Sequence, residues 1–96
     1  FRFNASSISD KLPPIAEAMH LHVEDLKNEE LSVRITDAIL RLMDEVQAPK
    51  RLRELEVPRE AVSRLADRLL GIRRLIQRNP KPLSKEDALK LIGEMW

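Results

Sequence analysis

The chain has 96 residues, a net charge of +1, 43% apolar residues and 34% charged residues. This length fits one domain or part of a larger one, with a core of modest depth. The charged fraction and the lack of an apolar run near 20 residues argue against a membrane protein. The absence of cysteine excludes disulfides, thiolate ligands and a cysteine nucleophile from this segment, and it fits a cytoplasmic location. Because the first residue is Phe1 rather than methionine, we expect a piece of a longer protein.

Charge is unevenly distributed along the chain. Residues 1–49 carry five Lys and Arg against nine Asp and Glu, residues 50–81 carry ten against four, and residues 82–96 carry two against three. The segments therefore have net charges of −4, +6 and −1. The basic middle segment is a feature that a functional hypothesis has to explain.

Glycine and proline placement predicts an all-α fold. There are two glycines and no Asn-Gly or Asp-Gly hairpin signal, whereas apolar residues recur at helical spacing. We expect a small bundle of four main helices and one short helix. The predicted ranges, in chain order, are Pro13–Met19, Glu29–Val46, Lys50–Leu55, Pro58–Ile76 and Lys85–Met95.

The first two predicted helices have candidate caps at their N-termini. Ser9 and Asp10 offer capping oxygens before the first helix, and Asn28 is the candidate N-cap of the second. Residues 20–27 between them are predicted to form a turn or loop. The second helix has an apolar stripe at 3.6-residue spacing that predicts its buried face. This stripe consists of Leu31, Ile35, Ala38, Ile39, Leu42 and Val46.

The third long helix is predicted to begin near Pro58 and to be kinked at Gly71. The final helix follows a capping-box pattern that runs from Ser84 to Asp87. We expect Trp96 to turn inward at its end. The buried stripe of the third helix is predicted to contain Val62, Leu65, Ala66, Leu69, Ile72 and Ile76.

His20 and His22 are the only two histidines, and Glu24 and Asp25 follow them closely. A surface loop explains them better than a metal site, since two histidines rarely complete a coordination sphere. Likewise, none of the serines or threonines lies in a nucleophile-elbow pattern, and the two glycines are too far apart to form a phosphate-binding loop.

The basic middle segment has three interpretations. Its arginines are solvated on the polar faces of helices, or they contact another domain or subunit, or they bind nucleic acid. The aromatic residues Phe1, Phe3 and Trp96 lie only at the chain ends, so no stacking platform accompanies the charge. The solvated face is favoured, and no nucleic-acid partner is expected.

Three stretches of the sequence, in order, resemble the C-terminal end of the iron-containing (group III) alcohol dehydrogenase family. The resemblance extends over essentially the whole chain. The stretches are Phe1–Asn4 with Ile15–Met19, then Pro49–Glu60 with Leu65-Ala66, then Arg73–Leu83 with Glu86–Ala88 and Trp96.

The resemblance implies a two-domain oxidoreductase with the dehydroquinate synthase-like fold, in which this chain is part of the helical C-terminal domain. It implies an upstream dinucleotide-binding domain for NAD or NADP, and Fe²⁺ or Zn²⁺ held by one Asp and three His. In the family these ligands precede the stretch that Phe1–Asn4 resembles. We therefore assign no catalytic, cofactor-binding or metal-binding residue to this chain; Leu75 matches a position on the wall of the substrate pocket.

One departure from the family pattern lies at Glu56, where the family usually has glycine. A glycine there would suit a left-handed residue after a short helix. Either Glu56 adopts that conformation at a cost of about 1 kcal/mol, or the turn differs locally.

Two alternatives remain beside an alcohol dehydrogenase segment. The Asn79-Pro80-Lys81-Pro82 motif is also similar to the tail of maleylacetate reductases, which implies a ring-cleavage product as substrate. A free-standing helical module that binds a protein partner is the other alternative. For the dehydrogenase, the expected partners are its own upstream domain, a small alcohol or aldehyde and a homo-oligomer, without a membrane; the 96 residues alone are expected to be inactive.

Overall fold

The computed structural model describes residues 1–23 and 25–96, which are all-helical and contain no strand. This confirms the predicted fold class. The chain divides into two compact units, residues 1–47 and residues 48–96. No helix in the described residues is long and apolar enough to cross a membrane.

The first unit contains a 3₁₀ helix and two α-helices. The 3₁₀ helix spans Arg2–Lys11 and is interrupted by the non-helical backbone of Ile8. It leads directly into α1, Leu12–Ala18, where prolines occupy the first turn because the N–H groups there have no helical partner. After the predicted turn comes α2, Asn28–Glu45. The sequence did not predict the 3₁₀ helix, since its serine-rich segment lacks a helical stripe.

The core of the first unit forms where these three helices meet. Leu12, Ala16 and Ile35 are 0–1% exposed, and Ala5 and Leu31 are also buried. Each helix contributes at least one of these residues, so the core depends on contacts between segments that are distant in the sequence. Removing water from these side chains is the main source of stability here.

The predicted caps of α1 and α2 are wrong in detail. Neither Ser9 nor Asp10 caps α1, whose N-cap is Lys11 without a side-chain hydrogen bond. Asn28 is the first residue of α2 rather than its N-cap. The Glu30 carboxylate instead accepts a hydrogen bond of 2.9 Å from the backbone N–H of Lys27, which satisfies one amide at the helix start.

The apolar stripe of α2 is buried only along its first half. Leu31 and Ile35 are buried and Ile39 packs against the core, whereas Leu42 is 55% and Val46 65% exposed. The prediction of Leu42 and Val46 as buried is therefore wrong. The stripe continues past the segments that cover it, because α1 is only seven residues long and α2 has eighteen.

The second unit begins with a 3₁₀ helix at Leu52–Leu55 and contains α3, Ala61–Gly71; α4, Arg73–Ile76; and α5, Lys85–Met95. Helices α3 and α5 pack against each other. The buried residues of these two helices are all alanines, namely Ala61, Ala66 and Ala88. Small side chains at a contact let helix axes approach closely.

The long helix predicted to run to Ile76 is broken at Ile72, one residue beyond the predicted kink at Gly71. Ile72 has φ −84° and ψ 67°, which separates α3 from α4. Glycine is a poor helix former, and α3 ends on Gly71. Ile72 is 48% exposed, so its placement in the buried stripe is wrong.

The N-terminus of α5 confirms the predicted capping box. The Ser84 hydroxyl oxygen accepts a 3.0 Å hydrogen bond from the Asp87 N–H, and the Asp87 carboxylate accepts one of 3.1 Å from the Ser84 N–H. The Ser84 hydroxyl also donates to that carboxylate at 2.7 Å. These bonds favour the charged carboxylate and hold the pKa of Asp87 below its usual range.

Candidate functional site

Leu75 is the one pocket-wall position that the sequence indicates, and it lies on the single turn of α4. Its backbone N–H donates a 3.0 Å hydrogen bond to the Ile72 carbonyl oxygen. Its side chain is 58% exposed. The break at Ile72 displaces this turn from the path of α3, so Leu75 presents an apolar surface outside the core of its own unit.

Arginines surround Leu75 along the chain. Arg73, Arg74 and Arg78 are all exposed on or beside α4. The nearby turn is held by Asn79, whose side-chain amide donates a 2.6 Å hydrogen bond to the Lys81 carbonyl oxygen. An exposed apolar side chain flanked by guanidinium groups fits contact with an apolar molecule or surface that carries negative charge.

Trp96, at the end of the second unit, contacts Arg53, Val57 and Arg59. We call this group of contacts the Trp96 clamp. The indole N–H donates a 2.9 Å hydrogen bond to the Val57 carbonyl oxygen. The guanidinium carbons of Arg53 and Arg59 lie 5.9 and 4.9 Å from the ring centroid, within the range of cation–π attraction. Arg51 also donates to the carbonyl oxygen of Glu94 near the end of α5.

The clamp changes the interpretation of the basic segment. Arg51, Arg53 and Arg59 bind within their own unit, which the sequence analysis did not predict. Their partners lie more than thirty residues further along the chain, so no local pattern could have indicated them. The face of a tryptophan ring and the last carbonyl groups of a helix both attract cations.

The turn that presents Arg59 to the clamp contains Glu56 in the left-handed conformation, with φ 57° and ψ 20°. The Val57 N–H donates to the Leu52 carbonyl at 3.2 Å and the Glu56 N–H to the Arg53 carbonyl at 3.1 Å. This pair of hydrogen bonds is the Schellman motif that usually ends on glycine. Of the two predicted alternatives, the strained glutamate is the one observed.

His20 and His22 are both exposed. His20 has φ 54°, and it ends α1 through a hydrogen bond of 2.9 Å from its N–H to the Glu17 carbonyl. This is the position of a left-handed helix cap, which histidine tolerates better than most residues. Glu24, the third member of the candidate cluster, lies outside the described residues.

Comparison with known families is in agreement with the resemblance inferred from the sequence. Residues 1–96 match the family described as Fe-containing alcohol dehydrogenase family, C-terminal. The chain belongs to this family, and its helical structure is that expected of the C-terminal part. No curated protein and no solved structure gives a significant match.

The described residues do not fit the iron that the family name implies. A protein iron site needs several His or carboxylate side chains that converge on one point. Within residues 1–23 and 25–96, no group of three or more His, Cys, Asp or Glu side chains is placed to hold a metal. No chemical step through a metal is therefore derived from the side chains described.

Proposed function

We propose that this chain is the terminal helical part of a metal-dependent, NAD(P)-linked alcohol dehydrogenase. The parent enzyme would transfer hydride between an alcohol or aldehyde and a nicotinamide cofactor. The observation that carries this proposal is the family match, which extends over all 96 residues. The all-helical fold is consistent with it.

In this proposal the reactive groups lie upstream of the chain. An upstream domain binds NAD or NADP, and residues upstream of Phe1 bind Fe²⁺ or Zn²⁺, which as a Lewis acid would polarise the substrate oxygen. The described residues offer no comparable ligand group. The 96 residues then contribute structure and one side of the substrate cleft, and on their own they would be inactive.

The proposed contribution of the chain to the cleft is Leu75. Its side chain is 58% exposed although it is a large apolar residue, and α4 holds it apart from the packed face of α3. An apolar wall at this place would exclude water and limit the size of the alcohol that fits.

The first experiment is to read the coding sequence upstream of the Phe1 codon. The proposal expects an open frame that encodes a dinucleotide-binding domain, an Asp-x-x-x-His pair and two later histidines. A start codon directly ahead of Phe1 contradicts the proposal, because the chain would then lack its metal and cofactor sites.

The second experiment tests Leu75 in the longer protein. Leu75→Ala should change the preference between a short and a long alcohol, as the ratio of kcat/KM values, by about tenfold. Leu55→Ala is the matched control, since Leu55 is also 58% exposed and lies in the same unit. Equal preference in the two variants would remove Leu75 from the cleft wall without affecting the proposed reaction.

A second candidate function is reduction of a carboxylate-bearing ring-cleavage product, as in maleylacetate reductases. The observation that favours it is that Arg73, Arg74 and Arg78, close to Leu75 in the sequence, are all exposed, because arginine binds carboxylates in a bidentate manner. Assay of the longer protein with neutral aldehydes and with an unsaturated keto acid separates the two candidates. Activity on the keto acid alone would favour the second.

A further inference from the structure

The break between α3 and α4 is made by the backbone of a single residue. Ile72 has φ −84° and ψ 67°, whereas Gly71 before it and Arg73 after it belong to helices. Its φ lies within the range of right-handed helices. Because helical ψ is near −42°, a rotation of about 110° around one bond separates the observed form from a continuous helix.

Part of the hydrogen bonding of a continuous helix is already present across the break. The Ile76 N–H donates to the Ile72 carbonyl oxygen at 3.2 Å, which is the four-residue spacing of an α-helix. The Leu75 N–H donates to the same oxygen at 3.0 Å, whereas in a continuous helix it would donate to the carbonyl oxygen of Gly71. Joining the helices would therefore exchange this bond for another and would give the first N–H groups of α4 helical partners.

Gly71 is not required by its backbone conformation or by close packing. Its φ is not positive, and a Cβ placed on it would contact no other segment of the described chain within 4 Å. Gly93 in α5 is alike in both respects. Since glycine lowers the stability of a helix through its backbone entropy, the local effect of Gly71 is to weaken the helix where α3 ends.

The side chains of α4 are only partly buried in the observed form. Ile72 is 48% and Leu75 is 58% exposed, and Ile76 is half-buried. Helical spacing, in contrast, places Ile72 and Ile76 on the same face as Leu65 and Leu69 of α3. The side-chain pattern thus favours one helix, whereas the glycine favours two.

The segment after α4 is long enough for both arrangements. The Lys85 ammonium lies 2.8 Å from the Asp67 carboxylate, so α5 begins beside this part of α3. In a continuous helix Gln77 would lie ten residues, or about 15 Å, beyond Asp67. Residues 78–84 span up to about 23 Å when extended, so α5 is able to keep its place in both forms.

We propose that α3 and α4 exchange between the observed broken form and one continuous helix, with Gly71 setting the balance. In the continuous form Leu75 lies nine residues after Ala66, which at 100° per residue places it on the side of the helix opposite that buried alanine. The exchange therefore presents Leu75 and the exposed arginines beside it at two different places. A ligand or domain that contacts them in one form alone would shift the balance toward that form.

This inference concerns the backbone of the second unit and does not depend on the proposed enzymatic function. Its test is the distance across the break, measured by double electron–electron resonance. The chain contains no cysteine, so Ser63→Cys with Gln77→Cys carries spin labels at two exposed positions only. A continuous helix sets these positions about 21 Å apart along its axis and on one side. We expect this distance together with a second one from the broken form.

Two substitutions should move the balance in opposite directions. Gly71→Ala should raise the ratio of continuous to broken form about fivefold, since alanine is the better helix former. Gly93→Ala is the matched control, because it makes the same change in a helix away from the break, and its ratio should stay within about twofold of the unchanged chain.

Arg73→Pro should remove the continuous form. Proline fits the first position of a helix, which Arg73 occupies in α4, but it does not fit the interior of a continuous helix. Arg73→Ala is the control for the lost charge and should keep both distances. Circular dichroism confirms that each variant is helical.

Two distances in Gly71→Ala and one in Arg73→Pro would support the proposal. A single distance that is the same in the unchanged chain, Gly71→Ala and Arg73→Pro would overturn it. An equal change of the ratio in Gly71→Ala and Gly93→Ala would overturn it as well, because the effect would then not arise at the break.

Discussion

The two units of the chain have different types of buried residue where their helices pack. The first unit buries the large side chains of Leu12 and Ile35 almost completely, at a place where three helices meet. In α3 and α5 of the second unit only alanines are fully buried, and the unit adds a clamp of polar and cation–π contacts around Trp96. The comparison indicates that a helical unit of about fifty residues can be stabilised in two ways. One is burial of large side chains, and the other is close contact between helices through alanines together with polar and cation–π contacts at the end of the unit.

This difference bears on function. Because the second unit secures its helices through alanines and the Trp96 clamp, its larger apolar residues Leu55, Ile72 and Leu75 remain exposed. Of these three residues, Leu75 is the one that we propose for the cleft wall. In the first unit the exposed large apolar residues of α2 are Val33, Leu40, Leu42 and Val46.

The largest expected effect is in the core of the first unit. Ile35→Ala should lower the free energy of unfolding by about 3 kcal/mol, because Ile35 is 0% exposed and its loss leaves a cavity. Urea unfolding followed by circular dichroism measures the change. Leu42→Ala on the same helix is the control and should cost less than about 0.5 kcal/mol, since Leu42 is 55% exposed. A similar decrease in the free energy of unfolding in both variants would contradict the conclusion that the first half of the α2 stripe is buried and the second half is exposed.

The next effect is in the clamp of the second unit. Trp96→Ala should cost about 2 kcal/mol, as it removes a hydrogen bond and two cation–π contacts. Trp96→Phe keeps an aromatic ring but not the N–H donor, so its loss should be about half as large. Phe1→Ala at the other chain end is the control, with an aromatic ring outside any such clamp. If Trp96→Ala is as mild as Phe1→Ala in thermal unfolding, the clamp does not stabilise the unit.

The smallest expected effect is an increase in the free energy of unfolding, and it should be similar in both units. Glu56 and Gln47 have φ of 57° and 54°, a conformation that costs residues other than glycine about 1 kcal/mol. Glu56→Gly and Gln47→Gly should each raise the free energy of unfolding by up to about 1 kcal/mol. Glu60→Gly is the control, because Glu60 has φ −63° and gains nothing from glycine. Loss of stability at position 56 would mean that the glutamate side chain has a role of its own there.

Local sequence patterns predicted the elements with strong end signals. The capping box from Ser84 to Asp87 and the bounds of α5 agree with the structure. The extent of α2 was predicted to within one residue at each end. Such features depend on hydrogen bonds and backbone preferences within a few residues, which the sequence contains directly.

The candidate site was predicted less completely. Leu75 came from family resemblance, and its exposure became apparent only in the structure, since the helical stripe alone would have continued straight through Ile72. The partners of Arg51, Arg53 and Arg59 were not predicted at all. Periodicity identifies which side chains share a face of a helix, but it does not identify the segment that packs against that face.

By itself, the sequence determined that the chain is all-helical, where α1, α2 and α5 begin and end to within one residue, and which family it resembles. The helices follow from hydrogen bonds and backbone preferences within a few residues, and the family resemblance follows from motifs that occur in the same order along the chain. Only the tertiary structure decided that Leu42, Val46 and Ile72 stay exposed, that Glu56 takes a left-handed conformation, and that Trp96 joins the two ends of its unit. Burial and clamping require surfaces from distant parts of the chain, and their meeting is a property of the folded molecule.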